Sequence, residues 1–114
     1  MVGGIDAANT LQDLPELLAS FGEAAALISF KAGASETLTF RDLVERTRNI
    51  AKALQNRGVS AGEPVGILAP NGPLWVTACL AILSTGAAVV PVDVQQTKTE
   101  QVRLLKMTVS LFLE

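Results

Sequence analysis

Apolar residues recur at helical spacing in the middle of the chain and in continuous runs towards its C-terminal end. Four positions three or four residues apart carry the helical spacing: Leu43, Thr47, Ile50 and Leu54. They predict an amphipathic helix that starts after Thr39 and extends to about Arg57. Residues 64–68 and 87–92 are almost wholly apolar, which is typical of buried strands in a parallel sheet. The apolar segment 73–85 between them predicts a helix that is buried on most sides.

The start of the central helix carries two local signals. Thr39 stands at the expected N-cap and Asp42 follows three residues later. This is the spacing of a capping box, in which each side chain accepts a hydrogen bond from the backbone N–H of the other residue. Leu38 and Leu43 flank the box at the spacing of a hydrophobic staple. Gly58 follows the helix and is expected to end it in a left-handed conformation.

A short helix is predicted near the N-terminus. Asp13 and Glu16 again have the spacing of a capping box. Pro15 lies in the first turn, where its missing N–H costs little, and Gly22 is the expected stop. Residues 1–10 carry no such signals, and we expect them to be flexible.

The remaining segments predict a hairpin and a final helix–strand pair. Residues 24–30 and 37–40 have strand character, and the polar loop between them is longer than a tight two-residue turn. Residues 98–107 predict a helix, and residues 109–113 predict a strand. Strand–helix–strand units with short connections indicate a parallel sheet with right-handed crossovers. We therefore predict a three-layer α/β fold, in which helices flank a mostly parallel sheet and an N-terminal helix and hairpin are added to it.

Composition and charge narrow the range of functions. The formal net charge is −2 and aromatic residues make up 4% of the chain. Neither phosphate neutralisation nor base stacking is supplied, so we expect no nucleic-acid partner. Apolar residues make up 49% of the 114 residues, which is a high fraction for a small domain. We expect apolar surface to meet a partner, and self-association through an exposed sheet edge or apolar face is one such contact.

Few residues are available for catalysis. The chain has no histidine, and Cys79 is its single cysteine. Ser-His and Cys-His pairs and imidazole zinc sites therefore cannot form within it. Cys79 lies in an apolar run and is interpreted as an inert core thiol. Because one cysteine allows no internal disulfide, a reducing compartment is favoured, and we expect the protein to be cytoplasmic.

A membrane-spanning segment and a signal peptide are not expected. The apolar segment 74–90 is interrupted by Ser84, Thr85 and Gly86 and is followed by Pro91. A membrane span needs about 20 continuous apolar residues, so this segment divides more naturally into a helix and a strand. The first ten residues contain neither a basic group nor a long apolar core.

No phosphate-binding loop is recognisable. The patterns GxGxxG and GxxxxGK are absent, and the loop 69–72 has one glycine and no lysine, so we interpret it as a turn and helix cap. Asp93 follows the predicted strand 87–92 and lies at the carboxyl end of a parallel strand, where ligands often bind. A ligand role is open for Asp93, although we favour capping of a turn or of the next helix. Trp75 is interpreted as core or interface packing.

Four segments, in the same order and spacing, resemble a known family. Residues 38–43 (LTFRDL) resemble the motif L-T-Y-x-E-L, and residues 83–93 (LSTGAAVVPVD) resemble L-K-x-G-x-x-x-V-P-L-D. Residues 58–65 (GVSAGEPV) are similar to GV-x-x-GD-x-V, and residues 70–73 (PNGP) to P-N-S-P. The family is that of the acyl-adenylate-forming, AMP-binding ligases, of the acyl-CoA synthetase or fatty-acid–CoA ligase type. Matching positions are structural in that family: Leu38, Thr39, Phe40, Asp42, Leu43, Pro73, Gly86, Pro91 and Asp93.

This resemblance implies that residues 11–114 are part of the first N-terminal subdomain of such a ligase. The chain would be a fragment, and its partner would be the remainder of the ligase domain. The parent enzyme would activate a carboxylic acid, by our interpretation a fatty acid, as acyl-AMP with ATP and Mg²⁺, and would pass the acyl group to CoA. The family's phosphate loop, acidic ATP-binding residues and catalytic lysine have no matching positions here. We therefore assign no catalytic, cofactor-binding or metal-binding residue, and we expect the chain alone to be structural and inactive.

Three positions depart from the family pattern: Phe40 replaces Tyr, Asp42 replaces Glu and Ser84 replaces Lys. Two other hypotheses stay open. One is a free-standing, non-catalytic interaction or acyl-binding module that keeps this fold. The other is a compact nucleotide-binding domain of flavodoxin type, against which the missing phosphate loop counts.

Overall fold

The computed structural model describes residues 11–31, 33–107 and 109–112. A 3-10 turn at Leu11–Asp13 precedes the helices and strands, whose order is α1 Leu14–Ala19, β1 Ala25–Lys31, β2 Ala34–Thr39, α2 Phe40–Asn56, β3 Pro64–Leu68, α3 Pro73–Ser84, β4 Ala88–Val92, α4 Lys98–Leu105 and β5 Val109–Phe112. Each predicted element is present, with ends displaced by a few residues. The flexibility predicted for residues 1–10 and the last position of the predicted strand 109–113 lie outside the described residues.

The described strands form two sheets. β4, β3 and β5 make a three-stranded parallel sheet in which β3 is central. Val65 of β3 is aligned with Val89 of β4 and with Val109 of β5. β1 and β2 form an antiparallel hairpin. The predicted α/β class is confirmed, with a parallel sheet, packed helices, and a helix and hairpin at the N-terminal side.

The core is built on β3 and α3. Val65 and Ile67 of β3 are fully buried, as are Ala78, Ala81 and Ile82 of α3. β3 has a strand on each side, and its continuous apolarity suits a strand whose two faces are both covered. Because α2 packs against α3, the buried side of α3 lies between the parallel sheet and the central helix.

The start of α2 has the predicted capping box. The Thr39 Oγ1 accepts a hydrogen bond from the Asp42 backbone N–H at 3.1 Å, and the Asp42 carboxylate accepts one from the Thr39 N–H at 3.3 Å. Leu38 and Leu43, the residues of the predicted staple, are both buried. Gly58 follows at φ +84°, which is the left-handed conformation predicted for the end of this helix.

The capping box predicted at Asp13 and Glu16 is wrong. Asp13 makes no side-chain capping hydrogen bond, and its backbone already has helical angles, φ −83° and ψ −7°. The turn Leu11–Asp13 leads directly into α1, so Asp13 lies inside a continuous helical path, whereas an N-cap residue has non-helical backbone angles. Pro15 does lie in the first turn of α1, as predicted.

The hairpin is tighter than predicted. β1 and β2 stay paired as far as Lys31 and Ala34, so two residues connect them, of which Gly33 has φ +79°. Residues 34–36 therefore belong to β2 rather than to a loop, and Phe40 is the first residue of α2. Residues 34–36 are exposed, and small or polar side chains are accepted in a strand where it faces solvent.

β4 and the start of α3 are less buried than predicted. β4 lies at the edge of the parallel sheet, where Val92 is buried, Val90 is half-buried and Pro91 is exposed. A strand with one neighbour leaves part of its surface uncovered, and an edge is where a proline, which lacks an N–H, is tolerated. In the first turn of α3, Leu74 is exposed as well. Apolar composition alone does not show which elements lie at the centre.

The apolar segment 74–90 is divided between α3 and β4, as the sequence predicts. Within the part of the chain that the structure describes, no helix has both the length and the apolarity needed to cross a lipid bilayer.

A buried hydroxyl in α2 lacks a hydrogen-bond partner. Thr47 is 2% exposed, and its Oγ1 finds no partner among the described residues. Thr77 of α3 is equally buried, but its Oγ1 donates to the Pro73 carbonyl at 2.6 Å. An unsatisfied buried hydroxyl costs about 1–3 kcal/mol, so Thr47 weakens the fold where Thr77 does not.

Thr47→Val is expected to raise the free energy of unfolding by about 1 kcal/mol. Valine keeps the shape of threonine and has a similar helix propensity, but it buries no hydroxyl. Thr77→Val is the matched control and should be neutral or destabilising by up to about 1 kcal/mol, because it removes a satisfied hydrogen bond. Urea unfolding followed by circular dichroism measures both variants. A loss of stability in Thr47→Val would contradict the prediction and show that this hydroxyl is bonded.

Candidate functional site

A cleft opens where β3 and β4 end. It is lined by the loop after β3, residues 69–71, by residues 91–95 at the end of β4, and by Trp75 from the first turn of α3. Its volume is about 480 Å³. Parallel strands place their carboxyl ends at one edge of the sheet, and this is the edge at which α/β folds bind ligands. The cleft is therefore the candidate functional site.

Asp93 is the one acidic residue that lines the cleft, and it is engaged in the turn after β4. Its Oδ1 accepts a hydrogen bond from the Gln95 backbone N–H at 2.8 Å. Its own backbone N–H donates to the side-chain oxygen of Gln96 at 3.2 Å. A carboxylate that bonds the backbone two residues on is a common way to fix a turn. The structure thus gives Asp93 the turn-capping contact that the sequence favours.

The same turn is held from α4. The side-chain amide of Gln101 donates to the carbonyls of Asp93 and Val94, at 3.1 and 3.2 Å. α4 is itself capped by Thr97, whose hydroxyl accepts from the Glu100 backbone N–H at 3.2 Å. The β4 side of the cleft is therefore fixed by hydrogen bonds within the turn and from α4, and its shape does not depend on a ligand.

The lining is mostly apolar and carries a few polar groups. The apolar part comes from small and ring-shaped side chains of the two loops: Ala69, Pro70, Pro91, Val92 and Val94. Asn71 and Gln95 add amides, which both donate and accept hydrogen bonds. Beside them, Trp75 offers an aromatic surface. Such a lining suits binding and orientation of a mostly uncharged group, and it contains no nucleophilic hydroxyl, thiol or amine.

Cys79 does not supply a nucleophile from nearby. It lies on α3 and packs against the core cluster, and burial raises the pKa of its thiol. The reactive thiolate is therefore disfavoured at neutral pH, in agreement with the interpretation of Cys79 as an inert core thiol. Among the residues that the structure describes, no three His, Cys, Asp or Glu side chains come together in a group that could hold a metal ion.

The motif positions identified in the sequence fall in separate places. One group lies at the junction of the hairpin and α2 and does not line the cleft: Leu38, Thr39, Phe40, Asp42 and Leu43. Gly86 connects α3 to β4 at φ +83°. Pro91 and Asp93 line the cleft, whereas Pro73 lines a neighbouring groove. The structure therefore brings two of these positions to the candidate site.

Several groups that shape the cleft carry no sequence signal. Gln95 lines it and Gln101 holds its wall, but glutamine in a turn or on a helix surface is ordinary in any globular protein. The sequence predicts Asn71 as a turn residue, with no binding role. Trp75 packs against the core cluster, as predicted, and lines the cleft as well.

Known proteins resemble the chain over most of its length. The family model described as AMP-binding enzyme matches residues 15–111. A methyl-dioxo-octahydroindenyl-propanoyl:CoA ligase from Rhodococcus jostii is 38% identical over 88 residues, which is 77% of this chain and 16% of that protein. Tyrocidine synthase 3 from Brevibacillus parabrevis is 38% identical over 58 residues, which is 51% of this chain and 1% of that protein.

A solved structure shows the same arrangement of elements. The N-terminal subdomain of NpsA from Klebsiella oxytoca matches with a TM-score of 0.73 and 25% identity, over 87% of this chain and 25% of that chain. The chain thus spans 16% of the length of the CoA ligase and 25% of the NpsA subdomain. Much of each of these proteins has no counterpart in the 114 residues.

Proposed function

The chain belongs to the AMP-binding enzyme family, and we propose that the whole protein is an ATP-dependent ligase that joins a carboxylic acid to CoA through an acyl-AMP intermediate. We propose a fatty acid as the substrate. The fold is that of the N-terminal subdomain of adenylate-forming ligases. One observation carries the choice of a CoA ligase: the likeness to the CoA ligase extends over 77% of the chain, against 51% for tyrocidine synthase 3.

In this proposal the 114-residue chain is a framework and does not hold the cofactors. ATP, Mg²⁺ and CoA are the groups that the reaction requires. The described residues do not fit them: Asp93 is the single carboxylate of the cleft, and its Oδ1 already accepts the Gln95 N–H. The loop after β3 has one glycine and no lysine, so it lacks the donors of a phosphate loop. We therefore assign no catalytic step to the described residues and place the cofactors on the remainder of the ligase domain.

The cleft contributes a preformed wall in this scheme. Hydrogen bonds from Gln95, Gln96 and Gln101 fix the turn at Asp93 before any ligand arrives. A binding surface that is already rigid loses less conformational freedom when it meets its ligand or the rest of its domain. We propose that the remainder of the domain closes over this edge of the sheet, and that the cleft helps to position an uncharged part of the substrate.

A peptide-synthetase adenylation domain is the competing function. Tyrocidine synthase 3 has the same 38% identity, although over fewer residues. Such a domain would activate an amino acid and would transfer it to a carrier-bound thiol instead of free CoA. Substrate class and thiol acceptor therefore separate the two functions, whereas the fold does not.

The test is acid-dependent exchange of pyrophosphate into ATP by the protein made from its complete coding sequence. We expect exchange with medium- or long-chain fatty acids and, once CoA is added, an acyl-CoA product that mass spectrometry identifies. Exchange with amino acids and no CoA thioester would replace the proposal with the peptide-synthetase alternative. No exchange with any acid would favour a non-catalytic module that keeps this fold.

The 114-residue chain alone is expected to produce no heat beyond dilution when Mg-ATP is titrated into it in a calorimeter. The reason is that the described residues offer neither a phosphate loop nor a cluster of metal ligands. The longer protein, if it is active in the exchange assay, serves as the positive control. Micromolar binding of Mg-ATP by the 114-residue chain would contradict this division of roles, because it would place a nucleotide site within the chain.

A further inference from the structure

One face of the hairpin is apolar and uncovered. Side chains alternate along a strand, so Ile28 and Phe30 of β1 share a face with Thr37 and Ser35, their partners on β2. Thr37 and Ser35 are small, and they leave Phe30 81% exposed and Ile28 58% exposed. Large apolar side chains side by side in solvent mark a surface that meets a partner.

The apolar face continues into a groove beside Phe30. The groove has a volume of about 300 Å³ and lies between β1 and the beginning of α3, where Pro70, Pro73 and Leu74 line it together with Phe30. Leu74 is 42% exposed. An apolar cavity of about 150 Å³ is enough to accept benzene in a protein interior, so a phenyl ring fits here. We call Ile28, Phe30, Pro70, Pro73 and Leu74 the hairpin–α3 surface.

We propose that the hairpin–α3 surface is self-complementary and that two copies of the chain associate through it about a two-fold axis. In this dimer the Phe30 ring of each copy enters the groove of the other. A projecting side chain next to a groove that accepts it is what a two-fold contact needs, because each copy then supplies both halves of the contact. No charged side chain lines the groove, so the contact brings no like charges together there.

The available area indicates a weak dimer. At their exposed fractions, Phe30, Ile28 and Leu74 together present about 300 Å² of apolar surface per copy. With the polar residues around them, the contact would bury about 1,000 Å² in total, which is below the roughly 1,600 Å² of a stable complex and within the range of transient ones. We therefore expect dimers at a chain concentration of about 100 μM and monomers at low micromolar concentration. This expectation does not depend on the proposed ligase activity.

Sedimentation velocity of the 114-residue chain over a concentration series tests the proposal. We expect Phe30→Ser to weaken association at least about 10-fold, because buried aromatic residues dominate small interfaces. Ile28→Thr should weaken it less, since threonine keeps the β-branched shape that suits a strand. Met107→Ser is the matched control: Met107 is 68% exposed and lies outside the hairpin–α3 surface, so its removal should leave association unchanged.

Circular dichroism spectra establish that each variant is folded, and Phe30 is exposed enough for its replacement to leave the core intact. A wild-type chain that stays monomeric to several hundred micromolar would overturn the proposal and leave this surface to the remainder of the domain. So would a dimer that persists in both Phe30→Ser and Ile28→Thr, or one that Met107→Ser weakens equally.

Discussion

Ile67→Ala is expected to lower the free energy of unfolding by about 3–4 kcal/mol. Ile67 has no exposed surface and lies in β3, aligned with Pro91 of β4 on one side and Leu111 of β5 on the other. Both neighbouring strands are hydrogen-bonded to β3, so they cannot move in to fill the space of the missing atoms. The variant therefore loses the burial of those atoms and also keeps a cavity, and both effects destabilise the fold.

Urea unfolding at low micromolar chain concentration, where association does not contribute, measures this loss. Ile67→Val removes a single methylene and should cost about 1 kcal/mol. Ile28→Ala makes the same truncation at a residue that is 58% exposed, and it should cost at least about 2 kcal/mol less than Ile67→Ala, since much less apolar surface is buried there. If Ile67→Ala and Ile28→Ala cost the same, β3 would not be the centre of the core.

Central position also explains which elements the sequence predicts well. β3 has the predicted bounds, Pro64–Leu68, because a short apolar run between turn residues is characteristic of a strand covered on both faces. The capping box of Thr39 and Asp42 is predicted correctly because all of its partners lie within four residues of the chain. In both cases the deciding contacts are local or follow directly from apolarity.

The predictions fail where distant parts of the chain decide the outcome. Asp13 has the residue type of an N-cap, but the turn before it is helical and leaves it no capping geometry. β4 is as apolar as β3, yet it lies at the edge because β5 pairs with the other side of β3. Nothing in either strand's own sequence specifies that order. Strand order therefore has to come from how the connecting helices pack.

The candidate site is predictable in position and not in detail. Asp93 follows a parallel strand, so the rule for ligand sites in α/β folds directs attention to this edge of the sheet, and the structure does show a cleft there. The hydrogen bonds of Gln101 to Asp93 and Val94 depend on how α4 lies over the turn. Such a contact across seven or eight residues has no signature in a single sequence.

Gly86→Ala is the second substitution with a large expected effect, a loss of about 2 kcal/mol in the free energy of unfolding. Gly86 has φ +83°, a left-handed conformation that costs other residues about 1–2 kcal/mol. A Cβ at this position would lie 2.7 Å from the side-chain nitrogen of Gln12 and 3.2 Å from the Cβ of Ala61. The Gly86 carbonyl accepts a hydrogen bond from the Gly62 N–H at 2.9 Å, which holds the backbone of this turn in place.

Gly62→Ala is the matched control for Gly86→Ala, because Gly62 has φ +84° and no atom within 4 Å of its added Cβ. It should therefore lose only the cost of the left-handed backbone, about 1 kcal/mol. The difference between the two variants then measures the contacts with Gln12 and Ala61, and adding Gln12→Ala to Gly86→Ala should recover part of it. Equal losses in the two single variants would mean that backbone conformation alone requires glycine at position 86. A larger loss at Gly86, relieved by Gln12→Ala, would mean that the close approach of the N-terminal turn adds to that requirement.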